Sequence, residues 1–477
     1  MTARPRTRNA AARIIGIAGL LALTLTACTA PDPGPTATAT KTVTEAAIEH
    51  LAADSCDSPE HADLGLMVTD GLLCGTLSVP IDRSAADSPT VGLTVVMTDQ
   101  DAPRGVLLLI GGGPGGSSIW TVPTIRAIMP EVAAEYQLVA MDLRGTGAGA
   151  LDCPEVQQQT GSSDILAASA GAIEACASSI GAWRDALSTD FTVQDMEDLR
   201  LALGAPTWAL DGTSYGTFVA ARYASSHPES VGALVLDSVV PVEGVDPFLL
   251  SSFAALPEVL AEVCASEACE TDPVGDLAAI LEAGYEPLPL FNMLVASSVA
   301  AAPFTGVIEA LASARAGDSG ALDRLIAGVV SAAASPLASF SAATHIATFC
   351  ADTLMPWADS AATAAERGAV LEAAIAAVAA EQTLPFPTSI LGQMGTTFSC
   401  VHWTGASAAP AEIGDLSEIP ALLLTGELDL STPLANAMTM ADRFASPEIV
   451  SIPGAGHAAQ MTPGGMGVVT DFLLGAR

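Results

Sequence analysis

The sequence predicts an α/β fold with a mostly parallel central sheet and a large, mainly helical insertion. Three observations carry this. Short continuous apolar runs at 105–110, 136–141, 233–236 and 420–424 have the character of parallel strands buried on both faces. Between them lie segments with helical apolar spacing, and strands alternating with helices build a parallel sheet. An Ala-rich block of about 180 residues, broken by Pro287, Pro289, Pro303 and Pro336, separates the third run from the fourth. With 477 residues the chain exceeds one ordinary core, so it holds either two domains or one domain with a large insertion.

The amino-terminal segment reads as an export signal. Arg4, Arg6, Arg8 and Arg13 precede an apolar stretch at 14–25. That stretch is shorter than the roughly 20 residues a membrane span needs. Leu25-Thr26-Ala27-Cys28 resembles a bacterial lipobox, which predicts a lipidated Cys28 as the mature amino terminus. The alternative is ordinary cleavage near Ala27. Residues 31–44, rich in Pro, Thr and Ala, cannot bury a core and read as a tether. The predicted order is a lipoprotein signal peptide (1–27), lipidated cysteine and tether (28–50), first core part (51–240), helical cap (241–415) and second core part (416–477). The predicted address is the outer face of the cell membrane.

Charge and cysteines agree with export. The formal charge is −36, from 17 basic and 53 acidic residues, and Lys41 is the one lysine. Phosphate binding needs clustered Lys and Arg, so nucleic acid is excluded as a partner. The acidity reads as a solvated, self-repelling surface. Setting Cys28 aside leaves eight cysteines, an even number that points to disulfides in an exported chain. Pairing sequence neighbours gives Cys56–Cys74, Cys153–Cys176, Cys264–Cys269 and Cys350–Cys400. No Cys-x-x-Cys or His-Glu-x-x-His spacing occurs, so neither a metal nor a cofactor is expected.

Along the chain, 74–82 and 91–97 read as an antiparallel strand pair. The run at 105–110 opens into Gly111-Gly112-Gly113-Pro114-Gly115-Gly116, and one helix is predicted over 119–135. The next strand ends at Asp142. An amphipathic helix at 192–203 leads to the strand of Trp208 and Leu210, which breaks into Gly212-Thr213-Ser214-Tyr215-Gly216. This is strand, abrupt turn, helix, and it fits the Gly-x-Ser-x-Gly nucleophile elbow. Late in the chain, 420–425 is followed by Gly426-Glu427-Leu428-Asp429, and a last strand at 448–452 precedes Gly454-Ala455-Gly456-His457. A closing helix is predicted at 465–474.

Ser214, Asp429 and His457 run in the α/β-hydrolase order of nucleophile, acid and base. A serine hydroxyl needs an imidazole to take its proton, and the imidazole needs a carboxylate to fix its tautomer. Glu427 and Asp237 are alternative acids. His227 reads as a helix cap, and His50, His61, His345 and His402 lack a strand-end setting. The oxyanion donors are assigned to the backbone N–H groups of Gly113 and Tyr215. A rival reading takes Gly111, Gly113 and Gly116 with Asp142 as a dinucleotide fingerprint. It leaves the triad unexplained, and Pro114 removes an N–H from the turn.

The Gly112-Gly113-Pro114-Gly115, Asp142-Leu143-Arg144-Gly145-Thr146-Gly147, elbow, Gly426–Pro433 and Gly454–His457 segments resemble the proline iminopeptidase and tripeptidyl aminopeptidase branch of the α/β hydrolases, in its exported form. That form carries Cys-x-Asp and Cys-x-x-Trp segments, matched here by Cys350-Ala351-Asp352 and Cys400-Val401-His402-Trp403. One departure is Gly111, where the family often has His. The resemblance implies hydrolysis of peptides from a free amino terminus through an acyl-enzyme, with acidic cap residues holding the α-ammonium. Asp352 is its candidate for that role. A carboxylesterase or lipase with the same triad is the alternative, and a catalytically silent binding lipoprotein is a remote one.

Overall fold

The structure, a computed structural model, describes residues 51–357, 361–405 and 412–475. The signal segment, Cys28 and the tether lie outside the described residues. Nine strands form one sheet: β1 (Ala53–Ser55), β2 (Leu72–Pro80), β3 (Thr90–Thr98), β4 (Val106–Ile110), β5 (Gln137–Met141), β6 (Trp208–Thr213), β7 (Val231–Asp237), β8 (Ala421–Gly426) and β9 (Glu448–Ile452). Their order is β1-β2-β3-β5-β4-β6-β7-β8-β9. The pairs from β1 to β5 through β3 are antiparallel, and those from β5 through β4 to β9 are parallel.

Strand periodicity explains the continuous apolar runs. On β4, Val106, Leu108 and Ile110 enter one core while Leu107 and Leu109 enter the other; on β8, Ala421 and Leu423 oppose Leu422 and Leu424. Both faces are therefore buried. Helices α1 (Thr121–Ile128) and α2 (Pro130–Glu135) cover one face. The single helix predicted over 119–135 is broken because Pro130 lacks an N–H and starts a new helix, while Met129 leaves helical geometry (φ −125°, ψ 63°).

Next come α3 (Pro154–Thr160), α4 (Ala170–Ser179), α5 (Thr189–Ala202) and α6 (Tyr215–Ser226). Helices α5 and α6 cover the second face. The insertion after β7 comprises α7 (Leu250–Ser266), α8 (Pro273–Glu282), α9 (Pro287–Val299), α10 (Val307–Arg315), α11 (Gly320–Ala333), α12 (Ala342–Asp352), α13 (Ala364–Ala377) and α14 (Gly395–His402). Finally α15 (Leu434–Ala441) and α16 (Pro463–Gly475) return to the sheet. The cap has its own core around the stacked Phe253 and Phe291. Helices α3 and α4 share a further apolar cluster with α12, so these two helices pack against the cap, although the sequence boundaries assigned them to the core.

All four expected disulfides are present, with Cα separations of 5.0, 5.5, 5.0 and 5.3 Å in chain order. Cys350–Cys400 ties α12 to α14. Among the described residues no helix is long and apolar enough to cross a membrane.

Candidate active site

The elbow is built by steric necessity. Ser214 sits at φ 57°, ψ −125°, a region L-residues occupy only when the surroundings force it. A Cβ on Gly212 would stand 2.4 Å from the Gly216 carbonyl oxygen, and one on Gly216 would stand 2.2 Å from that of Ile110. Both glycines are therefore demanded by close backbone approach. The Ser214 N–H donates to Asp237 O at 2.9 Å, which pins the apex to the end of β7.

Asp429 and His457 follow β8 and β9 and meet. The His457 Nδ1 is 2.9 Å from Asp429 Oδ2. The other Asp429 oxygen accepts the N–H groups of Ser431 and Thr432 at 2.8 and 3.0 Å, and Thr432 Oγ1 donates to Oδ2 at 2.7 Å. Burial raises the Asp429 pKa, but the His457 charge and these bonds outweigh it and hold it below 3.8. For His457 burial pulls downward, while Asp429 and then Asp237 push upward, and the net shift is up from 6.5. This fixes the ring with Nδ1–H toward the acid and Nε2 free for a serine proton.

The histidine loop is seated against the elbow. Asp237 accepts the N–H groups of Ala459 and Gln460, each at 3.0 Å, and Gln460 Nε2 donates to Thr213 Oγ1 at 2.6 Å. Asp237 is thus a support for this loop. Glu427 accepts Gly454 N–H at 2.9 Å on an exposed edge. Neither alternative acid touches His457. Among the described residues no hydrogen bond links Ser214 Oγ to His457, a gap common in ligand-free hydrolytic sites that close on substrate.

Ser214, Gly113 and Tyr215 line one cavity of about 350 Å³. Tyr215 opens α6, and the first turn of a helix leaves its N–H groups without intrahelical partners. Gly113 has φ 133°, suited to a backbone that turns an N–H inward. The arrangement places Ser214, His457, Asp429 and the backbone of Gly113 and Tyr215 at the carboxyl edge of the parallel sheet.

The rest of the glycine loop argues against a nucleotide. Asp142 is turned inward, accepting Ser117 Oγ at 2.7 Å and Ser118 N–H at 2.9 Å. Arg144 is buried, bound to Asp195 and to the carbonyls of Pro80 and Ile81. The Asp-Leu-Arg-Gly-Thr-Gly motif is therefore a scaffold for the oxyanion loop. Among the described residues no His, Cys, Asp or Glu cluster could hold a metal.

Asp352 requires a correction. It is buried and does not line the cavity. Its Oδ2 accepts the Thr189 N–H, Thr189 Oγ1 and the Tyr215 hydroxyl, which turns the carboxylate onto α5 and α6 and away from a substrate ammonium in the cavity. The carboxylates on the cavity wall are Asp164, Glu243 and Asp246, and no Lys or Arg lines it. Asp246 accepts the Phe248 and Leu250 N–H groups. Glu243 Oε1 pairs with Arg443, and its Oε2 is shut off from solvent with no hydrogen-bond partner among the described residues. The sequence reading missed Glu243, although a carboxylate six residues past a buried strand end is a visible signal. It also missed Thr432, which follows Asp429 by three residues as turn-forming hydroxyls do.

The fold and elbow define an α/β hydrolase, and 105–264 match the family described as alpha/beta hydrolase fold. Residues 391–476 match the family described as TAP-like protein. It is similar to a tripeptidyl aminopeptidase of Streptomyces coelicolor, 29% identical over 188 residues, 35% of each chain. It is also similar to the serine protease Hip1 of Mycobacterium tuberculosis, 27% identical over 191 residues, 36% of this chain and 37% of that one. These matches span about a third of the relatives' length. Among solved structures, the serine hydrolase CCSP0084 of Cycloclasticus zankles aligns over 84% of this chain and 98% of its own, at 16% identity and TM-score 0.40.

Proposed function

We propose that the protein is a serine exopeptidase that cleaves peptides from a free amino terminus. The observation carrying this reading is the wall of the Ser214 cavity, which holds three carboxylates and no basic side chain. Such a wall attracts an α-ammonium and repels a carboxyl terminus. Glu243, paired with Arg443 through Oε1, and Asp164, held by His345 through Oδ1, are the candidate acceptors. The printed names of the two relatives, an aminopeptidase and a serine protease, support the same class of substrate.

The chemistry follows from the geometry. His457 Nε2 takes the Ser214 hydroxyl proton as Oγ attacks the scissile carbonyl carbon. The resulting oxyanion lies on the Gly113 and Tyr215 N–H groups. The C–N bond then breaks, His457 hands its proton to the departing amine, and the acyl group remains on Ser214. Water, deprotonated by His457, attacks the ester and Ser214 recovers its proton. Asp429 steadies the imidazolium throughout without taking the proton.

The exported, lipid-tethered location is part of the proposal. It rests on the basic and apolar segments before Cys28 and on the eight remaining cysteines. Comparison of free and N-acetylated tripeptide anilides, alongside short p-nitrophenyl esters, tests the activity. Free peptides are expected to be cleaved at least tenfold faster than acetylated ones, with Glu243→Gln abolishing most of that difference. Equal cleavage of both would overturn amine recognition, and hydrolysis of esters alone would favour an esterase.

A further inference from the structure

Helix α12 reaches both halves of the oxyanion hole. It is eleven residues long, about 16 Å at 1.5 Å per residue. His345, Phe349 and Asp352 stand at i, i+4 and i+7 on one face. Near its start, His345 Nδ1 is 2.8 Å from Pro114 O and Nε2 is 3.1 Å from Asp164 Oδ1. A carbonyl and a carboxylate both accept, so a ring between them satisfies both only by donating from both nitrogens. The segment leading into the helix lies against the same loop: Ser341 N–H donates to Gly115 O at 3.0 Å, and Ser117 N–H donates to Ser339 O at 3.1 Å. A Cβ on Gly115 would stand 2.6 Å from Ser341 O. At the far end Asp352 accepts the Tyr215 hydroxyl, and Thr189 Oγ1 is 2.7 Å from that hydroxyl. Between these two attachments Phe349 lines the substrate cavity.

We infer that His345 and Asp352 are positioning residues, through which one cap helix holds the two oxyanion donors, Gly113 and Tyr215, in register. His345 acts through the Pro114 carbonyl on the loop that carries Gly113. Asp352 acts through the Tyr215 side chain on the residue whose N–H is the second donor. The inference rests on Ser214 as nucleophile and not on the identity of the substrate. Displacing a donor, unlike deleting one, is expected to cost less than the 10²–10³ in turnover that removal brings.

Asp352 also caps the first turn of α5 through the Thr189 N–H, so a purely structural role is the rival explanation. Tyr215→Phe separates the two, because it removes the hydroxyl and leaves the α5 cap intact. The experiment measures kcat and KM on a short ester, the rate of fluorophosphonate labelling of Ser214, and the affinity for a peptide boronate, which fills the oxyanion hole. Tyr215→Phe, Asp352→Ala and His345→Ala are expected to lower kcat and the labelling rate by roughly 10–100-fold and to leave KM within about threefold. Boronate affinity should fall by the same factor as kcat/KM. The Tyr215→Phe/Asp352→Ala double variant should be no slower than Asp352→Ala alone. Unchanged kcat in Tyr215→Phe, a defect confined to KM, or additive losses in the double variant would overturn the brace. Failure of the wild-type protein itself to label at Ser214 would overturn the nucleophile assignment and this inference together.

Discussion

Replacing Asp211 by Asn should make the protein more stable at neutral and alkaline pH. Asp211 lies on β6, three residues before Ser214, and is buried with neither carboxylate oxygen in a hydrogen bond of good geometry among the described residues. Burial, and then the charge of Asp237, push its pKa from 3.8 to about 7. Between those values the folded chain holds a proton that the unfolded chain has released, so stability falls as pH rises through the window. Below about pH 4 both states are protonated and the Asp211 contribution vanishes. Above pH 7 the folded state carries a desolvated charge. The full shift, at 1.36 kcal/mol per unit, corresponds to at most about 4 kcal/mol. Asn keeps the shape, stays neutral, and offers an N–H₂ that can donate where the carboxylate could only accept. Urea unfolding followed by tryptophan fluorescence at pH 4 and pH 8 reads the difference. The variant should match the wild type at pH 4 and exceed it at pH 8. Equal or lower stability at pH 8 would refute the account of Asp211 as a buried, destabilising charge.

Three further expectations concern the site and its scaffold. The acid limb of kcat/KM should lie above pH 6.5, because the raised pKa of His457 keeps it protonated, and unable to act as base, to higher pH; a limb below 6.5 would contradict the Asp429 pairing. Thr432→Val removes a hydroxyl bound to Asp429 and 3.2 Å from His457 Nδ1, and should reduce kcat by about tenfold with little change in KM, read by steady-state kinetics. Arg144→Met leaves Asp195 buried against Arg83 alone and should cost about 3–5 kcal/mol in urea unfolding.

The core was legible because its chemistry forces its sequence. A strand buried on both faces must be apolar at every position, as in Leu107 to Ile110, and a turn as tight as the one at Ser214 must be flanked by glycine. Strand order alone nominates Ser214, Asp429 and His457, and the fold joins the last two. What escaped were contacts made between segments far apart in sequence. Asp352 carries a carboxylate in the cap and was read as a substrate ligand; only the fold turns it onto Tyr215, 137 positions away. His345 has no local signature because its partners, Pro114 and Asp164, come from two other segments. Helices α3 and α4 were assigned to the core because chain order places them between two strands, whereas their apolar faces pack on α12. The break at Met129 is written in Pro130, which has no N–H to continue the helix.

The attachment of α12 also bears on how such enzymes diversify. A lid joined to its core only by hinges can be exchanged for another of similar size without disturbing the chemistry below it. Here residues within the insertion hold the Pro114 loop and the Tyr215 side chain, and Cys350–Cys400 fastens that same helix to its neighbour. A chimera that keeps residues 51–240 and 416–477 and takes a foreign insertion would retain Ser214, Asp429 and His457 yet lose the groups that hold the glycine loop and Tyr215 in place. New specificities are therefore more accessible by changing α7 to α11 around a retained α12 than by transplanting the whole cap.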